Sequence, residues 1–424
     1  MTLHRLAAAL LIAFGVADPL FGQGYLITDL GTFGGPTAEA NAINNAGQIA
    51  GSANTASDVH AFLWNNGVLT DLGLPGSNAV ALSSDGRAVG SYFPPDATAT
   101  HAFLYQNGAP VDLGFLPGFL KGNSAVGVNK FAQVVGNGTS GSGYSRVVHP
   151  YSWQSGTYTD LTDVLGKATV SGINDAGEIV GTMTLPDGGG NSGFILHNGQ
   201  VTLIGSLGLS TSAGKAINAN GDVAGYSAVT DGGYHAVLFH NGSLTDLGTT
   251  PSADSFGVGL NNVGQVVGYL QAGYGQHAFV YGAGGIQDVN DLIDSQSGWL
   301  LIEAAGIDDA GRIIGSGNFQ GNQRAYLATP TDQPLRPAVP SNVVATGEHN
   351  RIALTWNAAP RATSYRVKRS FSNAGPFATM ATMSGSQTSY DDTHVLRRRG
   401  YYYVVSAVNS VGESPNSAAV YAQP

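Results

Sequence analysis

Five histidines each stand eleven residues ahead of an aspartate: His60 and Asp71, His101 and Asp112, His149 and Asp160, His235 and Asp246, His277 and Asp288. Three kinds of chemistry fit that pair. A carboxylate can orient a histidine as a general base. Several histidines converging on one point can bind a metal ion. Each pair can also be a structural staple that satisfies polar groups between packed sheets. A catalytic site is normally built once, and metal ligands must meet at one point. Five copies along the chain therefore favour the staple, with no catalytic and no metal assignment.

The surrounding residues fix how each pair is held. Residues 60–73 read HAFLWNNGVLTDLG, residues 101–114 HAFLYQNGAPVDLG and residues 235–248 HAVLFHNGSLTDLG. An Asn-Gly turn between alternating apolar residues is a hairpin signal. Pairing through that turn sets Asn65 opposite Val68 and Phe62 opposite Asp71. His60 is then the diagonal neighbour of Asp71 on the same face, within reach of a long side chain. Two departures follow the same logic. Ser192 replaces the histidine where Leu203 replaces the aspartate, so both partners go together. Arg324 stands at the last histidine position, and the carboxylate expected to face it is Asp29.

A second motif alternates with the first: AINNAGQIAG, GVNKFAQVVG, GINDAGEIVG, AINANGDVAG, GLNNVGQVVG and GIDDAGRIIG, with ALSSDGRAVG as a weaker copy. The closing glycines are 51, 90, 136, 181, 225, 268 and 315, spaced 39 to 47 residues apart. That makes seven units, each reading as four short strands. Four strands in a unit of this length is the pattern of a β-propeller blade. The seventh unit stops at RAYLATP (324–330) without a fourth strand, and the mature chain starts with YLITDLG (25–31), a fourth strand without a unit. The expected fold is all-β: a seven-bladed β-propeller over residues 23–330, closed by the N-terminal strand. The repeats resemble the HAF repeat family of bacterial exported proteins on the His-Ala-Phe strands, Asn-Gly turns and Ile-Asn…Gly segments quoted above. The resemblance implies a repeat type and carries no ligand.

Residues 331–340 form a proline-rich linker, after which the pattern changes. IALTW (352–356), SYRVKRS (364–370) and YYYVVSAVNSVGESPNS (401–417) resemble a fibronectin type III β-sandwich, taken as residues 341–424. The resemblance places the family's buried tryptophan at Trp356, its core tyrosine at Tyr365 and its corner tyrosine at Tyr401. It implies a spacer or docking module.

Composition bounds the function. Charged residues make up 11 % of the 424, well below the roughly 25 % usual for globular proteins, with 61 glycines and no cysteine. Residues 23–334 hold 23 acids against 8 bases, a net of −15, and residues 335–424 hold 4 against 9, a net of +5. So acidic a body repels phosphate backbones, and nucleic acid is excluded as a partner. Residues 1–22 read as a signal peptide, with no second apolar run to span a membrane in the mature chain. The expected location is secreted, extracellular or cell-surface.

In an up-and-down blade, the 2–3 and 4–1 connections share one end. Here those connections vary, and they carry Tyr92, Phe93, Phe115, Phe119, Tyr144, Tyr274 and Trp299 as candidate ligand contacts. The Asn-rich turns at the opposite end lack the acidic density of a calcium loop. No cofactor is implied. The expected function is a non-enzymatic binding protein, its partner an extracellular polysaccharide or a cell-surface protein. A polysaccharide-active hydrolase or lyase is the alternative, drawing on Asp96, Asp291, Asp294 and Glu303. A surface structural protein is a third reading.

Overall fold

The turns set the strands. Asn66-Gly67, Asn107-Gly108, Ser155-Gly156, Asn198-Gly199 and Asn241-Gly242 all take positive φ at both residues. Such turns match the twist of the flanking strands, so each closes a hairpin in one register. Asn65 pairs with Val68 and Phe62 with Asp71. A computed structural model describes residues 24–424 apart from residues 96, 117, 119, 120, 142–145, 187, 252 and 274. The expected signal peptide (1–22) lies outside the described residues, as do Phe119, Tyr144, Tyr274 and Asp96.

Residues 38–288 form six antiparallel four-stranded sheets, each in sequence order. A further four-stranded sheet contains Trp299–Ile307, Ile313–Phe319 and Asn322–Thr331. Its fourth strand is Gly24–Asp29, which runs antiparallel to Asn322–Thr331 with Asp29 opposite Tyr326. The first strand of each sheet packs beside the first strand of the next. The last of these, Trp299–Ile307, packs beside the first, Ala38–Ile43.

Every sheet is buried on both faces. In the third strand, Ala61 and Phe62 are both fully buried. Ala61 joins a core with Ala79, Ala88 and Phe103 of unit 2. Phe62 joins one with Ile314, Ala325 and Leu327 of unit 7. Each junction between neighbouring sheets has its own apolar cluster, including the junction of unit 7 with unit 1. The closing glycines follow from this packing. The first strand of each unit carries a bulge, for example between Ala40 and Ala42. A Cβ on Gly51 would run into the Glu39 carbonyl oxygen and the Phe62 ring. The same collision with a first-strand carbonyl recurs at Gly90, Gly136, Gly181, Gly225, Gly268 and Gly315. The glycine of the second motif and the phenylalanine of the first are two halves of one contact.

The C-terminal residues form a three-stranded and a four-stranded sheet around Trp356, Tyr365, Tyr401 and Tyr403. The Tyr401 hydroxyl accepts the Leu396 N–H at 2.9 Å and holds the corner. The segment before this module is packed down. Leu335 and Ala338 are buried, and the Leu335 carbonyl accepts from Asn409.

Candidate functional site

The histidine end of the units is built from a two-handed aspartate. One oxygen of Asp71 lies 2.8 Å from His60 Nδ1, and the other accepts the Gly73 N–H at 2.7 Å. His101 Nδ1 lies 3.0 Å from Asp112, His235 Nδ1 3.0 Å from Asp246 and His277 Nδ1 2.6 Å from Asp288. Each of these aspartates also caps a backbone N–H two residues on. The glycine of Asp-Leu-Gly takes positive φ in that turn, 73° at Gly73 and 66° at Gly114. His149 departs from the pattern. It stands 3.9 Å from Asp160, and its ring nitrogens meet Ser140 and Thr162 instead. Arg324 reaches Asp29 at 3.0 Å across the borrowed strand. The pairs sit on separate sheets. Among the described residues no group of three or more His, Asp or Glu is placed to hold a metal.

Electrostatics at Asp112 show what the pair does locally. Burial opposes ionisation there. The Gly114 N–H, His101 and Tyr92 outweigh it and hold the carboxyl below its ordinary range. The Tyr92 hydroxyl is pushed up to about 12, by burial first and then by its hydrogen bond to Asp112.

The loop aromatics divide. Tyr92 is buried, its ring 5.9 Å from His101 and edge-on to it. Phe115 stands edge-on to His101 from another side at 4.4 Å. Trp299 stacks on Phe319 at 4.8 Å and packs against the unit 6–7 core. Tyr92 and Phe115 thus pack on His101, while Trp299 packs on Phe319. Phe93 stands 45 % exposed. Of the acids in the rival enzyme reading, Asp291 has its carboxyl pushed up to about 6, by burial first and then by the charge of Asp288. The Asp291 and Ile293 carbonyls both accept from the Arg361 guanidinium at 2.8 Å. The Asp294 carboxylate faces Arg336 at 3.4 Å. Gln296 donates to the Glu413 carbonyl. The 289–298 connection is therefore the seat of the C-terminal module.

A half-buried aromatic shelf was not singled out in the sequence. It lies at the loop end of the first and second strands. Opposed residues at this level are Glu39 and Ser52, Asn78 and Ser91, Ser124 and Asn137, Thr169 and Thr182. The series continues with Ala213 and Tyr226, Phe256 and Tyr269, Glu303 and Ser316. Units 5 and 6 thus put rings where the others have Ser, Thr, Asn or Glu. Tyr226 and Phe256 stand 5.0 Å apart, Phe256 and Tyr269 stack at 5.0 Å, and Tyr234 lies 5.5 Å from Phe256. Lys215 reaches over the Tyr226 ring at 5.5 Å. Beside them opens a depression of about 730 Å³ that includes His235, Asp254 and Gln271. Beyond Tyr269 comes Glu303, whose carboxyl is held above its ordinary range by burial and then by the charge of Glu39. The signal was present in the second motif. The residue after the closing glycine is Ser, Ser, Asn, Thr, Tyr, Tyr and Ser in order.

No family model matches the chain. The HAF resemblance of the repeats therefore has no support from that comparison. An Fn3-like protein from Clostridium thermocellum is 46 % identical over 21 % of this chain and 94 % of its own, with a TM-score of 0.20. An amylopullulanase from Thermoanaerobacterium saccharolyticum is 37 % identical over 89 residues, 21 % of this chain and 7 % of that protein. One from Thermoanaerobacterium thermosulfurigenes is 31 % identical over 88 residues. The chain thus spans under a tenth of the length of these two relatives. It is an all-β repeat protein carrying a fibronectin type III-type domain. Among the described residues no helix is long and apolar enough to cross a membrane.

Proposed function

We propose that the chain is an exported, non-enzymatic polysaccharide-binding protein. Its repeats form a seven-bladed β-propeller over residues 23–330. Its fibronectin type III domain (341–424), reached through residues 331–340, is seated on the 289–298 connection. Three observations support closure of the ring: the unit 7–unit 1 core, the pairing of Gly24–Asp29 with Asn322–Thr331, and the packing of the last first-strand beside the first. The His–Asp pairs act as staples of the loop end.

The observation that carries the binding reading is the shelf of Tyr226, Tyr234, Phe256 and Tyr269. It is half-buried and pre-packed, and it stands at the end where the connections vary. The C–H faces of a pyranose are apolar and bury on such rings, and the ring-to-ring contacts hold the shelf in place before a ligand arrives. The similarity of 89 residues to part of an amylopullulanase fits the same setting. Retention of the full chain on neutral and acidic polysaccharide gels tests the reading. Tyr226→Ala with Tyr269→Ala should abolish retention while leaving the folded fraction unchanged. Unaltered retention would refute it.

One observation favours the enzyme alternative. Glu303 is a half-buried carboxyl with its proton affinity raised, beside a second carboxyl at Glu39, a pairing suited to acid–base work. Reducing-end release from the same polysaccharides, lost in Glu303→Gln, would convert the binding reading into a hydrolase. The binding reading expects no release.

A further inference from the structure

We propose that the polysaccharide bound here is anionic. Its carboxylate or sulfate groups would be read by a cavity that spans units 2 to 4, built around Lys121 and Arg146. The inference rests on the polysaccharide reading and names the ligand class within it.

The cavity measures about 300 Å³. Lys121 and Arg146 line it together with Thr100, Ser124, Thr139 and Thr169. Gly122 keeps it open. A Cβ there would sit 3.1 Å from the Thr100 hydroxyl and 3.2 Å from the Thr139 hydroxyl, so the absent side chain leaves two hydroxyls flanking one space, that of Thr139 donating to the Gly122 carbonyl. Ser124 and Thr169 hold the same repeat position as Phe256 and Glu303. The cavity therefore opens at the level of the aromatic shelf, on the same end of the sheets.

The cations make the case. Residues 23–334 contain only eight. Four are held by carboxylates: Arg87 by Asp85, Lys130 by Asp175, Arg312 by Asp308 and Arg324 by Asp29. The other four form no ion pair among the described residues; Lys215 lies over the Tyr226 ring, and Lys121 and Arg146 line this cavity together. In a body with 23 acids, two uncommitted cations beside four hydroxyls form a local inversion of sign. Arginine offers a planar fork that matches a carboxylate or sulfate, and lysine adds a point charge. The surrounding acidity sets the ligand class. A chain with one anion per sugar can place a single charge in the cavity and neutral hydroxyls elsewhere. A contiguous run of phosphates would meet repulsion on either side.

The test uses isothermal titration of the full chain with three oligosaccharides of equal length. They are a β-1,4-oligoglucuronate, its carboxyl-reduced counterpart and a 6-sulfated form of the latter. The expected result is tighter binding of at least one charged form than of the reduced one. Which charged form binds identifies the anion. Lys121→Ala and Arg146→Ala should each weaken the charged form about tenfold, the scale of one hydrogen bond to a charged group. Neither should alter binding of the reduced form. Raising salt to about 0.5 M should shrink the advantage by screening. Equal affinity for all three forms would overturn the inference and leave polysaccharide binding standing. So would a charge preference untouched by both substitutions. Absence of binding by every form would overturn both.

Discussion

The two ends of the seven sheets solve different problems. At the end where first and second strands turn, one buried asparagine does nearly everything in five of the seven units. Asn218 Oδ1 accepts the N–H groups of Asn220 and Asp222 at 2.9 Å. Its amide donates to Asp222 and to the Asn261 carbonyl of the next unit. Asn44, Asn129, Asn174 and Asn261 repeat the arrangement, each reaching the following unit's backbone. Asp309 and Asn45 complete the series between units 7 and 1. Unit 2 has Ser83 instead, and Arg87 makes the step to the Lys130 carbonyl. At the other end the staples are part-exposed, with the side chains of His60 and Asp71 at 22 % and 38 %. They fix strand ends and leave the loops between them free to vary. The lesson is a division of labour: buried, saturated polar groups specify the array, and exposed, tolerant ones carry variation.

The sharpest way to break that picture is to remove what joins the two termini of the array. Deleting residues 24–31 strips the partner from Asn322–Thr331, whose Tyr326 and Ala328 are fully buried. The expected loss exceeds about 5 kcal/mol, the whole margin of a typical domain, and is seen as loss of the cooperative denaturant transition. A synthetic peptide of residues 24–31 added in trans should restore the transition in part.

Next comes the asparagine end. Asn218→Ala leaves the Asn220 and Asp222 N–H groups without their acceptor and takes from the Asn261 carbonyl one of its two donors. The expected cost is about 2–4 kcal/mol by urea unfolding. A smaller effect is expected at the staple end. His101→Ala removes a part-exposed hydrogen-bonded pair and the ring that Tyr92 and Phe115 pack against. A cost of about 1 kcal/mol is expected, since solvent screens the pair. If the two substitutions cost the same, the contrast between the ends collapses.

The smallest effect is in pH. Hydrogen bonding to Asp288 raises the pKa of His277 above its ordinary 6.5, against burial, which lowers it. The folded state then binds the proton more tightly than the unfolded one. The pair's contribution is full below 6.5 and fades as pH rises through the raised value. Melting temperature should therefore fall slightly with rising pH across that window, and His277→Gln should flatten the slope.

Much of this was legible because local rules decided it. The Asn-Gly turns allow one register, so the side chains that face each other across the third and fourth strands follow from counting. A run such as YLITDLG at one terminus and a missing strand at the other are visible without coordinates. The candidate binding residues were harder. Tyr92, Phe115 and Trp299 stand out as loop aromatics, yet whether a loop ring packs down depends on neighbours supplied by tertiary structure. Tyr226, Phe256 and Tyr269 sit inside strands and read as core. Only comparison of one repeat position across seven units separates them. Asp294 looked like a free loop acid because its arginine partner arrives from residue 336, beyond any local pattern.

The most direct measurement is hydrogen–deuterium exchange of the full chain with and without a polysaccharide that the gels retain. Protection should concentrate in Val223–Ala228, Asp254–Leu260 and Val266–Ala272, the strands at the shelf. The turns at Asn44, Asn174 and Asn218 should exchange unchanged. Protection centred on those turns, or confined to residues 341–424, would contradict the account.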